Sequence, residues 1–167
     1  MDLVTLALSG MVLCSLGIIV SAQPLFSPDE SIRITLERGM CFGTCPVYSV
    51  TLSGNGTVSW EGKQYVMKKG NITGSIDPAR VADLFYQLDR DGFFTLNHSY
   101  SAYEITDMPS ATLTVQNNSI KKQVYHYYGD SSAPETLCRM EEAVDRTANT
   151  TQWIGKEPPI GSEDILL

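Results

Sequence analysis

The sequence is poor in the side chains that most enzymes use for acid–base or metal chemistry. It has only two histidines in 167 residues, and it lacks the G-x-S-x-G, H-E-x-x-H and glycine-rich phosphate-binding patterns. These patterns are the usual signatures of serine hydrolases, zinc proteases and nucleotide-binding enzymes. Their absence favours a non-enzymatic function. The one enzymatic alternative is a hydrolase in which the loop carboxylates Glu104 and Asp107 converge in a pocket.

Positive charge is also scarce. The chain has 12 Lys and Arg against 19 Asp and Glu, which gives a net charge of −7. The only paired lysines stand at 68–69 and 121–122. A nucleic-acid-binding surface needs a concentration of basic side chains, so the composition argues against a nucleic-acid partner.

Long apolar runs are absent except at the start, where residues 3–20 carry no charge. This run, followed by Val20-Ser21-Ala22, is typical of a signal peptide covering residues 1–22, although Asp2 stands where a basic residue is expected. The alternative is an uncleaved membrane anchor, since 18 apolar residues just span a bilayer. Either interpretation predicts an exported protein, secreted or held on the outer face of the cytoplasmic membrane. The rest divides into a linker at 23–30, a single domain at 31–155 and an acidic tail at 156–167.

Asparagines are concentrated in glycosylation sequons. Five of the six asparagines stand in N-x-S/T patterns, whereas the Ser and Thr content would place about one there by chance. This excess predicts N-glycosylation, although Asn, Ser and Thr also share a preference for turns. The candidate sites are Asn55, Asn71, Asn97, Asn117 and Asn149.

Alternating apolar and polar residues predict strands in the first half of the chain. Apolar residues stand at 32, 34 and 36, at 48, 50 and 52, and at 58 and 60. Asn55-Gly56 lies between the second and third of these segments and predicts a hairpin turn. Further strand is predicted over 63–67 and 71–76.

Two helices follow from apolar residues at helical spacing. The first is predicted to begin at Asp77-Pro78, an N-cap followed by proline, and to end at Gly92. The second is predicted to begin at Pro134, with positions 137, 140, 144 and 148 facing inward. The order βββ(β)-α-ββ-α predicts a two-layer α+β fold, in which both helices pack on one face of a mostly antiparallel sheet.

A second hairpin is predicted after residues 93–110, which resemble a loop. A two-residue turn at 117–118 would pair Val115 with Ile120 and Ala111 with Val124, so that the apolar residues of both strands share one face.

The opposite, uncovered face of the sheet is predicted to carry hydroxyl and aromatic side chains. Such a face suits ligand or protein recognition, and it is also the ordinary composition of a solvent-facing sheet. The residues assigned to it are Ser49, Thr51, Ser59, Thr112, Thr114, Tyr125 and Tyr127.

The segment "CFGTCPVY" at 41–48 is the main candidate for special chemistry. Cys41 and Cys45 cannot bridge if the chain is extended, because their Cα atoms would lie roughly 13 Å apart. Gly43 and Thr44 make a tight turn feasible, and in an oxidising compartment such a pair is usually bridged. The sequence therefore predicts a disulfide that acts as a local staple.

The alternative is Cu(I) binding or thiol–disulfide exchange, because C-x-x-x-C-P also occurs in Sco-type copper chaperones and soft thiolates suit Cu(I). In those proteins the motif lies between a strand and a helix, whereas here it is predicted between two strands. His126 or Cys138 would be the third ligand. His126 falls on the core face of its strand, however, and Cys138 is predicted to be a half-buried free thiol beside the apolar stripe of its helix.

The chain resembles a family of small exported bacterial and archaeal domains of unknown function. The resemblance rests on "ITLERGMCFGTCPVYSVTLSGNGTV", "GFF", "TDMPSATLTV" and "LCRMEEAVDRTANTTQWIG", and it covers roughly residues 31–155. C-F-G-x-C-P-x-Y is its most specific part. The resemblance implies no activity, substrate or cofactor. A site shared by the family would be sought first at Cys41, Cys45, Tyr48 and Asp107.

The sequence as a whole favours an exported, glycosylated binding or structural domain with no cofactor, and copper is the alternative. Its partner would be an unidentified envelope or extracellular molecule. A membrane would be contacted only through an uncleaved N-terminal segment. The residues considered for recognition are Tyr48, Asp107, Tyr125 and Tyr127.

Overall fold

The computed structural model describes residues 29–155, which form one seven-stranded sheet with helices on one face. The predicted signal or anchor segment, most of the linker and the acidic tail lie outside the described residues. No helix within the described part is long and apolar enough to cross a membrane. The strands are β1 (Arg33–Arg38), β2 (Val47–Ser53), β3 (Thr57–Gln64), β4 (Gly70–Ser75), β5 (Ser99–Tyr100), β6 (Ser110–Gln116) and β7 (Lys121–Tyr127).

The strands lie in the order β4-β3-β2-β1-β6-β7-β5. Strand β1 is central and pairs antiparallel with both β2 and β6. Only the two-residue strand β5 pairs in parallel, with β7. The predicted α+β class and the mostly antiparallel sheet are confirmed.

The helices cover the apolar face of the sheet. Helix α1 (Pro78–Arg90) begins as predicted, because the Asp77 side chain accepts a hydrogen bond from the Ala79 N–H. Helix α2 (Glu135–Ala148) follows Pro134, and a short helix α3 (Thr151–Ile154) comes next. All the residues predicted to face inward from α1 and α2 are buried.

Two segments differ from the predicted pattern. Strand β3 ends at Gln64, because Tyr65 takes a left-handed conformation (φ 52°) and turns the chain into β4. The segment predicted as a loop contains a 3-10 helix (Phe93–Thr95) and strand β5. Phe93 is fully buried, so packing against the core holds this short helix in place.

The predicted register of the second hairpin is wrong. Val115 pairs with Lys122 rather than with Ile120. The Asn117 side-chain oxygen accepts hydrogen bonds from the backbone N–H groups of Ser119 and Ile120, and this closes a four-residue turn. The side chain of Asn117 therefore sets the turn length.

The register error leaves both faces of the hairpin unchanged. Ala111 pairs with His126 rather than with Val124. A shift of two residues keeps every side chain on its predicted face, since side chains alternate with period two. Val124 and His126 are accordingly both buried on the helix side.

The open face is partly covered. Tyr127, which was predicted to be exposed on it, is buried beneath the segment 101–109. Its hydroxyl donates to the Ile105 carbonyl (2.9 Å) and accepts from the Met108 N–H (3.3 Å), and the Tyr103 ring lies 4.6 Å away. Tyr127 thus fixes this segment to the sheet.

Three longer connections lie together at one end of the sheet, which we call the loop end. They are residues 39–46 between β1 and β2, residues 65–69 between β3 and β4, and residues 101–109 before β6. The first described residues lie at the opposite end, where the Gly54 N–H donates to the Ile32 carbonyl. Strand β1 therefore runs from the opposite end of the sheet, where the first described residues lie, toward the loop end.

Candidate functional site: a groove beside the disulfide

The connection between β1 and β2 is closed by a disulfide. Cys41 and Cys45 are bonded, with their Cα atoms 5.8 Å apart, and the Gly43 N–H donates to the Cys41 carbonyl within the ring. Phe42 projects from this ring and is 89% exposed. The predicted bridge is confirmed, and it holds an aromatic side chain in solvent.

A groove of about 310 Å³ opens beside this disulfide. One wall is formed by Cys45 and Pro46, and the other by Pro109, the last residue of the 101–109 segment, and Ser110, the first residue of β6. The floor is polar and consists of side chains from β1, β2, α2 and the residue that follows β7: Arg38, Tyr48, Asp145 and Tyr128.

Arg38 is the centre of the floor. Its guanidinium donates to Glu141 Oε2 (3.0 Å) and to Asp145 Oδ2 (2.8 Å), and it also contacts the Tyr128 hydroxyl. Burial alone would lower the pKa of Arg38, but Tyr128, Asp145 and Glu141 together raise it above its usual value. Arg38 therefore stays charged and holds Glu141 and Asp145 of α2 against the end of β1.

Tyr48 and Tyr128 complete the floor as hydrogen-bond donors. The Tyr48 hydroxyl donates to Asp145 Oδ1 (2.7 Å), and the Tyr128 hydroxyl donates to Glu141. Burial raises the pKa of Tyr48, and the nearby charge of Asp145 raises it further. Burial also raises the pKa of Tyr128. Both phenols remain protonated and neutral, as donation to a carboxylate requires.

His126 and Glu141 lie beneath the groove. His126 Nδ1 is 2.9 Å from Glu141 Oε1, and the two side chains are 2% and 1% exposed. The His126 ring also packs against Tyr128, with ring centroids 4.4 Å apart. His126 thus contributes to the core network and is not among the side chains that line the groove.

The polar groups that line and support the groove are held in place by one another. Among the described residues, no buried side-chain nitrogen or oxygen lacks a hydrogen-bond partner. The carboxylates of Glu141 and Asp145 are each held by several donors, so the network acts as a rigid, fully satisfied support. A pocket with apolar walls and a few fixed polar groups is the usual form of a ligand or side-chain binding site.

Some of the predicted site residues meet at this groove. Cys45 and Tyr48 line it, and the Asp107 carbonyl accepts from the Phe42 N–H (3.2 Å), which joins the 101–109 segment to the disulfide ring. The Asp107 side chain bonds only its neighbour Thr106. The backbone of Asp107, rather than its carboxylate, therefore connects it to the site.

The other predicted candidates lie elsewhere. Cys138 is half-buried on α2, where burial raises the pKa of its thiol. The described residues contain no cluster of three His, Cys, Asp or Glu side chains arranged to hold a metal ion. Copper binding at Cys41 and Cys45 would require their bond to be reduced first, whereas thiol exchange would begin with the attack of an external thiolate on this bond.

The loop carboxylates and Tyr125 are also separate from the groove. Glu104 accepts from the Ser131 N–H (3.2 Å), and neither Glu104 nor Asp107 lines the groove. Tyr125 lies on the open face, opposite Thr112.

Of the sequon asparagines, four are exposed and Asn117 is partly buried.

Sequence reasoning missed Arg38, Tyr128, Glu141 and Asp145. Glu141 stands four residues after Leu137, so helical spacing places it on the apolar face of α2. A carboxylate at a core position signals a buried partner, because an isolated buried charge is costly. The partner could not be identified, since Arg38 is 103 residues away along the chain.

The fold and the groove define a small, disulfide-closed α+β domain with a groove at one end of its sheet. The family described as "Domain of unknown function (DUF6438)" matches residues 32–148, and the chain belongs to this family. The matched span contains the whole sheet, the disulfide and the buried network. No curated protein matches the chain.

Proposed function

We propose that this protein is an exported, N-glycosylated, non-enzymatic binding domain that recognises a protein partner through its loop end. Phe42 and the groove beside the disulfide form the centre of the recognition surface. The partner is an envelope or extracellular protein that offers a complementary apolar surface.

The distribution of exposed apolar side chains carries this proposal. Nine large apolar residues of the described chain are exposed, and only Tyr86 and Ile120 lie away from the loop end. Exposed apolar side chains grouped in this way are typical of protein interaction sites, whereas scattered ones are ordinary. The seven at the loop end are Met40, Phe42, Tyr65, Met67, Tyr103, Ile105 and Met108.

The first and third loops are also joined to each other, and the second is joined to helix α3. The disulfide closes the first loop, and the Phe42–Asp107 backbone bond joins it to the third. The second loop is held by backbone bonds from Met67 to Ile154 (3.0 Å) and from Lys68 to Trp153 (2.9 Å). Loops that are ordered before binding lose less conformational entropy when a partner docks.

The direction of the chain suits recognition outside the cell. The described residues begin at the end of the sheet opposite the loops, so an N-terminal anchor would present the loops away from the membrane. A cleaved signal would release the same surface in a secreted protein. The disulfide and the exposed sequons support an exported location.

Site-specific photo-crosslinking on the cells that produce the protein tests the proposal. A benzoylphenylalanine replaces Phe42 in one variant and Tyr86 in a matched control, because both positions are exposed aromatics. We expect a discrete protein adduct from position 42 and none from position 86. The adduct should weaken when Met40→Ser and Met108→Ser are added, while the free energy of unfolding stays unchanged.

Other outcomes of the crosslinking overturn the proposal. Equal adducts from both positions would show that the loop end has no special role. An adduct of twice the chain mass would indicate self-association, and adducts with lipid alone would indicate a membrane surface. Absence of any adduct at position 42 would argue against a protein partner.

A further inference from the structure

A second groove, of about 360 Å³, lies on the open face of the sheet across β2, β3 and β4. It is separate from the loop-end groove, and its side chains on this face are all polar. It shares no lining residue with the groove beside the disulfide. The polar side chains that line it are Ser49, Thr51, Ser59, Glu61, Asn71 and Thr73.

The strand register places these groups in two rows. Asn71 lies opposite Glu61, and Thr73 lies opposite Ser59. Neighbouring strands are about 4.8 Å apart, and side chains on one face recur about every 7 Å along a strand. The groove therefore offers hydroxyl, carboxylate and amide groups at short, regular intervals. This is a surface suited to a ligand that carries many hydroxyl groups, such as a saccharide.

Asn71 supplies the link to one particular saccharide. It is the asparagine of the sequon Asn71-Ile72-Thr73, its side chain is exposed, and it forms part of the groove itself. It also lies on β4, the edge strand of the sheet, which leaves one side of this segment open. No other sequon asparagine lines this groove.

We propose that a glycan attached to Asn71 lies along this groove and forms hydrogen bonds to Ser59, Glu61 and Thr73. The inference rests on the N-glycosylation contained in the proposed function. The donor would be a saccharide linked through phosphate to a lipid. Asn71 Nδ2 forms a bond to the sugar C1, the bond from C1 to the phosphate oxygen breaks, the amide loses a proton, and the lipid phosphate leaves.

Because the glycan is attached beside the groove, weak contacts are sufficient to hold it there. A tethered ligand has an effective concentration in the millimolar range, so a few hydrogen bonds hold it in place.

The test compares the release of glycans from the folded protein by an endoglycosidase, followed by mass spectrometry of each sequon. Asn97 is the matched control, because it is an exposed sequon asparagine outside the groove. We expect slower release at Asn71 than at Asn97. The variant Glu61→Gln keeps the sequon and should speed release at Asn71 about fivefold, because an amide oxygen accepts a weaker hydrogen bond from a sugar hydroxyl than a carboxylate does. Release at Asn97 should not change.

Hydrogen exchange gives a second readout. In the glycosylated protein the amides of β3 and β4 should exchange more slowly than in the Asn71→Gln variant, whereas Asn97→Gln should leave them unchanged. Equal release rates at the two sites, with no effect of Glu61→Gln, would overturn the docked glycan and leave glycosylation intact. An unmodified Asn71 with the other sequons modified would refute this inference alone. A chain with no glycan at any sequon would refute the glycosylation in the proposed function as well.

Discussion

His126 Nδ1 lies 2.9 Å from Glu141 Oε1, and both side chains are almost completely buried between the sheet and helix α2. The other Glu141 oxygen accepts hydrogen bonds from the Arg38 guanidinium and the Tyr128 hydroxyl. One carboxylate in the core thus joins the end of β1, the end of β7 and the middle of α2. The position of the groove floor depends on it.

Replacing Glu141 should strongly destabilise the domain. The variant Glu141→Gln leaves Arg38 buried without its full counter-charge, and breaking a buried ion pair in this way typically costs about 3–5 kcal/mol. Urea denaturation followed by circular dichroism measures the free energy of unfolding. Glu142→Gln is the matched control on the same helix, because its side chain is 63% exposed and pairs only with Arg146. The control should cost less than about 0.5 kcal/mol. Equal losses in the two variants would contradict a supporting role for the buried network.

Removing the disulfide should lower the free energy of unfolding by less than Glu141→Gln does. The combined change Cys41→Ser and Cys45→Ser should lower the free energy of unfolding by about 2 kcal/mol, since the closed ring contains only five residues. Urea denaturation again provides the measurement, and Cys138→Ala is a control that keeps the bridge.

Intact mass after alkylation without reduction adds an independent check of the disulfide. The native protein should be two hydrogens lighter than the reduced form, and peptide mapping should place no alkyl group on Cys41 or Cys45. Alkylation of both residues, or a copper ion retained in a native spectrum, would instead favour the metal or thiol-exchange alternative.

Asp130 should make the stability of the domain depend on acid pH. Its carboxylate accepts from the Ser132 hydroxyl (2.6 Å), the Ala102 N–H (2.8 Å) and the Ser132 N–H (2.9 Å), and these bonds lower its pKa below the usual value. A lowered pKa in the folded state stabilises the fold at every pH above the unfolded pKa, near 4. This contribution is lost as the pH falls through the lower, folded value.

The variant Asp130→Asn should therefore show a shallower loss of stability below about pH 4 than the wild type. Urea denaturation between pH 3 and pH 7 tests this dependence, and Asp83→Asn removes the same charge from an exposed position on α1. The Ala102 amide should also exchange faster in Asp130→Asn. If the two variants and the wild type had parallel profiles, the loss of stability in acid would not come from the Asp130 carboxylate.

Much of the fold follows from local patterns. Alternation at 48, 50 and 52 and helical spacing at 137, 140, 144 and 148 identified buried faces correctly, because side-chain direction is set by the backbone period. The Cys41–Cys45 bridge was also predictable, since Gly43 and Thr44 allow the required turn. The hairpin after Gln116 was placed on the correct faces but in the wrong register, because the Asn117 side chain lengthens the turn.

The candidate site was less predictable. Tyr48 and the disulfide were predicted as parts of a site, but no sequence pattern distinguished Arg38 and Tyr128. Each looks like an ordinary residue at the end of a strand. Their contacts form only where the ends of β1 and β7 pack against α2. No periodic pattern in the sequence predicts that packing.

The sequence by itself determined the α+β class, the buried faces, the disulfide ring and the family. The buried faces and the disulfide ring are local properties, because each depends on residues within one strand, helix or turn. The fold class follows from the order of these elements along the chain, and the family from motifs spread over residues 32–148. Only the tertiary structure brought Arg38 to Asp145, across 107 residues of chain, and gathered the exposed apolar side chains of three loops at one end of the sheet. Contacts of that separation depend on strand order and helix placement, which are settled by the packing of the whole domain.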